Sequence, residues 1–138
     1  MRAYILGGVM MAGLLIAGTS LQAHHSFAAE FDSTKPIKLT GVVTKVEWTN
    51  PHVWFYVNVK DEKTGEVTNW GAEMGPPHGL QRRGWRRETL KIGEQVTVEG
   101  SLAKNGSKRM NARSVLLVST GGRPGEQLDA ASSERSNP

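Results

Sequence analysis

The 138-residue sequence contains no cysteine, which excludes a disulfide scaffold, a thiolate metal site, a cysteine nucleophile and a lipid-bearing N-terminal cysteine. Enzyme signatures are missing too. There is no Gly-x-Ser-x-Gly, no His-Glu-x-x-His, no phosphate-binding glycine loop and no dinucleotide fingerprint. Glu30, Asp32 and Glu73 have the chemistry of acids and bases, yet nothing in their spacing separates them from surface carboxylates, so the expectation is a non-catalytic protein. Excess charge of one sign is small: 17 Lys plus Arg stand against 13 Asp plus Glu, a formal charge of +4. Nucleic-acid binders usually carry a larger basic stripe, so nucleic acid is not the expected partner. With 38% hydrophobic and 22% charged residues the chain suits one small domain with polar flanks.

Long apolar runs are also scarce, and the one present lies at the start. Arg2, the run Tyr4 to Ala17 and then Leu21-Gln22-Ala23 have the charge, apolar stretch and small exit residue of a secretory signal peptide over residues 1–23. The run is shorter than the roughly 20 apolar residues of a membrane helix. We expect cleavage after Ala23 by the general export route, with no twin arginine, to give a monomeric periplasmic or secreted protein without stable membrane insertion. Leu21 is larger than the residue preferred three places before such a cut. At the other end, Gly-Gly-Arg-Pro-Gly-Glu-Gln from Gly121 and the closing Ser-Ser-Glu-Arg-Ser-Asn-Pro lack an apolar period, so residues 121–138 read as a disordered tail. The domain then occupies residues 24–120.

Within it the apolar residues recur every second position, the mark of strands with one buried face. A first strand over Leu39 to Trp48 would turn Val42, Val46 and Trp48 to one side, and Asn50-Pro51 would end it. A second, His52 to Val59, sends Val53, Phe55, Val57 and Val59 one way and His52, Trp54, Tyr56 and Asn58 the other. Lys-Thr-Gly then marks a hairpin into a third strand, Val67 to Met74. Gly75-Pro76-Pro77 stops that strand and opens a short helix over about Pro77 to Arg83, ended by Gly84. A fourth strand, Gln95 to Leu102, with Val96, Val98 and Leu102 inward, and a fifth, about Arg109 to Val118, flank the hairpin signal Asn105-Gly106. This order predicts an all-β protein with one short helix: a five-stranded antiparallel OB-fold-like barrel.

Three groups of residues have functional chemistry. Cleavage after Ala23 would start the chain at His24-His25, so a free α-amine and the imidazole of one residue could chelate one ion with a second imidazole opposite. Nitrogen ligands in a square or T shape suit copper, with His25, His52 or His78 completing the set. The competing expectation is a solvated histidine pair with no metal. The second group is the aromatic face of His52, Trp54 and Tyr56, with Trp70 beside it, a stacking platform of the kind OB folds use for ligands, or else a surface packed under Phe27 and Phe31. The third is Arg82-Arg83-Gly84-Trp85-Arg86-Arg87. Its guanidinium groups and ring could hold an anionic small molecule or envelope protein, or else pair with Glu73, Glu88 or Glu94.

Ala23-His24-His25-Ser26-Phe27, Phe31-Asp32, Val46-Glu47-Trp48-Thr49-Asn50-Pro51-His52, Arg82-Arg83-Gly84-Trp85 and Asn111-Ala112-Arg113-Ser114 together resemble a family of small exported bacterial proteins classed as a domain of unknown function. The resemblance runs from Ala23 to about Val118. It implies cleavage before His24 and supplies no activity or substrate. The strand order is also similar to periplasmic bacterial OB-fold proteins, an analogy of pattern that does not fix function. Pro77-His78-Gly79 departs from the family pattern, which favours His52 over His78 as the partner of His24 and His25.

Overall fold

A computed structural model describes residues 27–118 and 125–136. In it the period-two pattern becomes six strands: β1 (Phe31–Glu47), β2 (Trp54–Lys60), β3 (Val67–Glu73), β4 (Gln95–Ala103), β5 (Arg109–Leu117) and β6 (Glu126–Asp129). One helix, α1 (Pro77–Arg82), lies between β3 and β4, and a 3-10 turn, Ser133–Ser136, follows β6. The sheet order is β3-β2-β1-β4-β5-β6, with an additional β3–β5 pairing that closes β1 to β5 into a ring. That closing pair is parallel, Gly71 opposite Arg109 and Glu73 opposite Asn111, so the ring is antiparallel everywhere except at its seam. Among the described residues no helix is long and apolar enough to cross a membrane.

The inward faces meet as the alternation requires. Phe55, Val57, Val96, Val98, Met110 and Val115 are completely buried, each contributing about 1.5–3 kcal/mol through the apolar surface it removes from water. α1 begins where Pro77 needs no hydrogen-bond partner. It turns Leu80 inward, and with Trp85 and Leu90 from the loop beyond, that side chain plugs the barrel.

Three expectations about elements are corrected. β1 starts at Phe31 rather than Leu39, and it pairs with β4 along most of its length. Within it Val43, not Val42, is the buried residue: Val43 faces Val57, a bulge follows, and Val46 then faces Phe55. One extra residue shifts the alternation, so Val42 lies outside and 42% exposed. The tail read as disordered contains ordered structure. β6 adds to β5 through pairs such as Val115 with Leu128, and Ala130 and Ser132 are buried. Its anchoring is by backbone ladder, polar contacts and the few apolar side chains Leu128, Ala130 and Ala131, too short an apolar pattern among polar residues to read as a strand.

Candidate ligand-binding site

The outward faces of β2, β3 and β5 meet at the seam. Partners across an antiparallel ladder share a face, so Trp54 lies with Glu73 and Tyr56 with Gly71, and the parallel seam adds Arg109 and Asn111 to that side. Gly71 lets the rings lie close to the strand: a Cβ at this position would press on the Tyr56 ring at 3.2 Å and touch the Trp54 ring at 3.6 Å. The Arg109 guanidinium sits over Trp54, its carbon 4.5 Å from the ring centroid, a cation–π contact. At the other side of the patch the Tyr56 hydroxyl donates to Glu47, which is paired with Lys45 at 2.6 Å.

At one end of this face lies a cluster of polar side chains. His52 Nδ1 is 3.7 Å from Glu73 Oε1, and the same oxygen accepts a hydrogen bond of 3.1 Å from Asn111 Nδ2. Ser132 donates to Asn111 Oδ1 at 2.5 Å. The cluster is buried because the C-terminal segment crosses it: the Gly75 N–H donates to the Ala130 carbonyl and the Ala130 N–H to the Arg113 carbonyl, while Arg113 pairs with Glu134. Burial pushes the Glu73 carboxyl up to about 7, helped by the negative charge of Glu30 and opposed by the Asn111 hydrogen bond and the Arg109 charge. Burial likewise holds the His52 imidazole below its ordinary value, against the pull of Glu30. Both shifts favour the neutral forms, so a half-exposed imidazole stands beside a carboxyl that is protonated below about pH 7.

The residues singled out in the sequence separate into several places. His24 and His25 lie outside the described residues. His52, Trp54 and Tyr56 share the site. Trp70 does not join them: it pairs with Val57, packs half-buried against the core and carries the Lys108 ammonium 5.2 Å above its ring. Trp85 is a core residue, fully buried, its Nε1 donating to the Asp129 carbonyl at 2.8 Å, so its ring offers no stacking surface. Arg83 pairs with Asp129 at 3.2 Å rather than with Glu73, Glu88 or Glu94, Arg86 donates to the Trp85 carbonyl, and Arg82 is exposed. Among the described residues no three His, Asp or Glu side chains converge to hold a metal. Glu73, Asn111 and Arg109 were not singled out for this site. A signal existed for Glu73, which falls on the same side of its strand as Gly71, but pairing with Trp54 could not be read from one strand alone.

A family model described as "Family of unknown function (DUF6152)" matches residues 12–112. The chain belongs to this family. No curated protein matches it. Among solved structures, a crystal structure of the mitochondrial single-stranded DNA binding protein Rim1 from S. cerevisiae is similar with a TM-score of 0.50 at 11% identity, over 63% of this chain and 96% of that one. A selenomethionine-labelled structure of the same protein gives 0.49 at 14% identity, over 63% and 97%. At such identities the likeness is one of fold, and the DUF6152 chain is an OB-like, mostly β protein with one short helix.

Proposed function

We propose that this DUF6152 protein is an exported, non-catalytic binding module that holds a copper ion between its processed N-terminus and His52. In this reading His24 supplies its α-amine and imidazole, and His25 and His52 are the candidate partners. The carrying observation is that Glu30 and Arg109 border one recess and Arg109 stacks on Trp54, two residues from His52, so the chain enters the barrel near the cluster and the Glu30 charge acts on both His52 and Glu73. His24 lies three residues before the helical turn over residues 27–30, a reach of up to about 10 Å of extended chain from the start of that turn. Neutral imidazole is the form that binds a metal, and the shift at His52 favours it. The periplasm or the exterior is the compartment this proposal needs, since only a removed leader frees the amine.

Intact-mass analysis of protein exported with its own leader, with and without Cu(II), tests the proposal. The expected result is a chain beginning at His24 that takes up one ion. A variant with one alanine inserted before His24 should bind about 100-fold more weakly or worse, beyond the 10–100-fold typical of losing an outer contact to a metal ligand. Equal affinity in the extended chain would overturn the copper reading.

A second, metal-free reading is favoured by one surface. Arg82, Arg86, Arg87 and Lys91 are all exposed in or next to the loop after α1, and Ile92 beside them is 72% exposed. Basic side chains around an apolar tip suit an anionic envelope surface. Vesicles containing phosphatidylglycerol should then retain the protein at low salt, with retention lost in the double variant Arg82→Gln, Arg86→Gln and in about 0.5 M salt, where screening lengths fall below roughly 5 Å. Retention unaffected by either change counts against this reading.

A further inference from the structure

The β4–β5 hairpin and the helical turn over residues 27–30 enclose a recess of about 240 Å³, bordered by Glu30, Phe31, Lys104, Asn105, Ser107 and Arg109. Its lining is unusual in three ways. Ser107 Oγ is buried and has no hydrogen-bond partner among the described residues, although buried polar atoms are nearly always partnered. Leaving a buried hydroxyl unsatisfied disfavours the fold, so a group that answers it has something to gain. Lys104 and Arg109 bring two positive charges, and among the described residues neither makes an ion pair. Both are nevertheless held in place: the Lys104 ammonium donates to the Ala28 carbonyl, its backbone N–H donates to the Glu30 carbonyl at 2.8 Å, and the Arg109 guanidinium rests on Trp54. The Ser107 N–H is bonded to Asn105 Oδ1 at 3.0 Å, which fixes the backbone that carries the hydroxyl.

We propose that this recess is a binding site for a small monocarboxylate that also carries a hydroxyl or amino donor. A planar guanidinium fork matches a carboxylate, Lys104 has protons beyond the one given to Ala28, and the Ser107 hydroxyl, buried in the wall in the rotamer seen here, gains an acceptor when it turns into the recess toward a carboxylate oxygen. Glu30, the one acidic side chain on the rim, accepts from the ligand's own donor and repels a second negative charge, which disfavours a phosphate dianion. The volume equals about eight waters' share of the liquid and lies below the roughly 300–1,000 Å³ of sites for drug-sized molecules. It admits a molecule of roughly three to six carbons. This proposal is independent of copper: it uses the hairpin and the turn, and needs no metal.

The test is made on the full chain expressed with its own leader and stripped of metal with EDTA. L-lactate, acetate, L-lactamide and inorganic phosphate are titrated by two-dimensional amide NMR and calorimetry. Lactate should shift the Ser107 and Arg109 resonances saturably, acetate should bind several-fold more weakly, and lactamide should not bind. Arg109→Met should weaken lactate binding by about tenfold or more, Arg109→Lys should restore part of it, and Ser107→Ala should cost about threefold or more, ranges expected for hydrogen bonds to a charged group. Lys104→Met and Ser107→Ala carry the test if Arg109→Met does not fold. The proposal is overturned if lactate leaves these resonances unmoved, if phosphate binds as tightly as lactate, or if the folded variants bind lactate with unchanged affinity.

Discussion

A chain ending at Val118 should melt about 20 °C below the full protein and expose apolar surface to a dye such as ANS. The segment it lacks contains β6 and the 3-10 turn, and the barrel depends on both. Trp85 is fully buried and, among the described residues, its indole N–H is answered by the Asp129 carbonyl. The Gly75 N–H is answered by Ala130, and Asn111 by Ser132 and Ser133 in addition to Glu73. Each buried donor left without its acceptor costs about 1–3 kcal/mol, and removing Ala130 and Leu128 uncovers Val115 and its neighbours. The dozen or so described residues removed no longer have to be ordered on folding, which offsets much of the lost β6 ladder. A net loss on the order of 4 kcal/mol is a large part of the 5–15 kcal/mol that domains usually hold, and at this size each kcal/mol moves the midpoint by about 4–8 °C.

The intact chain offers a second route to the same result. A Cβ at position 75 would meet the carbonyl of Ala131 and come within 2.6 Å of its Cβ, so Gly75→Val should displace the segment without shortening the protein. Calorimetric scans of both variants decide the matter. Midpoints within about 2 °C of the parent would show that the barrel stands without this segment.

That dependence was hidden in the sequence for a physical reason. Strand β2 was legible because its buried face alternates cleanly, as in Val53, Phe55 and Val57, and β4 and β5 because Val96 and Val98 alternate and Asn105-Gly106 marks a hairpin whose glycine has φ +76°. The irregularity at Glu99–Gly100 then buries Ser101 and leaves Leu102, expected inward, outside the core. β6 shows too little of such a face: Leu128 is its one apolar residue, Glu126, Gln127 and Asp129 are polar, and much of what anchors them is another strand's backbone. The bulge in β1 was illegible for a related reason, since both Val42 and Val43 are apolar and only the pairing with β2 chooses between them. At the candidate site, His52, Trp54 and Tyr56 could be placed on one face from β2 alone. Trp70 was assigned to the wrong side because its face depends on the β2–β3 register, in which it meets Val57. Trp85 sits in a run of arginines that reads as surface, and only its hydrogen bond to Asp129, 44 positions along the chain, explains its burial.

In metal-free protein, Glu73→Gln should be more stable than the parent at pH 8 and nearly equal to it at pH 4. Glu73 is only 6% exposed, and burial raises its carboxyl from 4.5 to about 7 in the folded state. A group raised on folding binds its proton more tightly in the native state, so its contribution is fully present below the unfolded value and is lost as pH climbs through about 7. The gap between the two proteins should therefore open between pH 4 and pH 8, reaching on the order of 3 kcal/mol. Glutamine keeps an oxygen for Asn111 Nδ2 and removes only the charge. His52 works with the opposite sign: its lowered value favours the native state above about 6.5 and is lost as pH falls, and because it stands 3.7 Å from Glu73 the difference between the two proteins reports the pair. Urea midpoints at each pH measure the gap, and parallel curves for the two proteins would show that Glu73 keeps an ordinary carboxyl. A side chain that costs this much at neutral pH, standing beside His52 and opposite Trp54 on the neighbouring strand, is better explained by use than by packing, since an amide would serve the fold at lower cost.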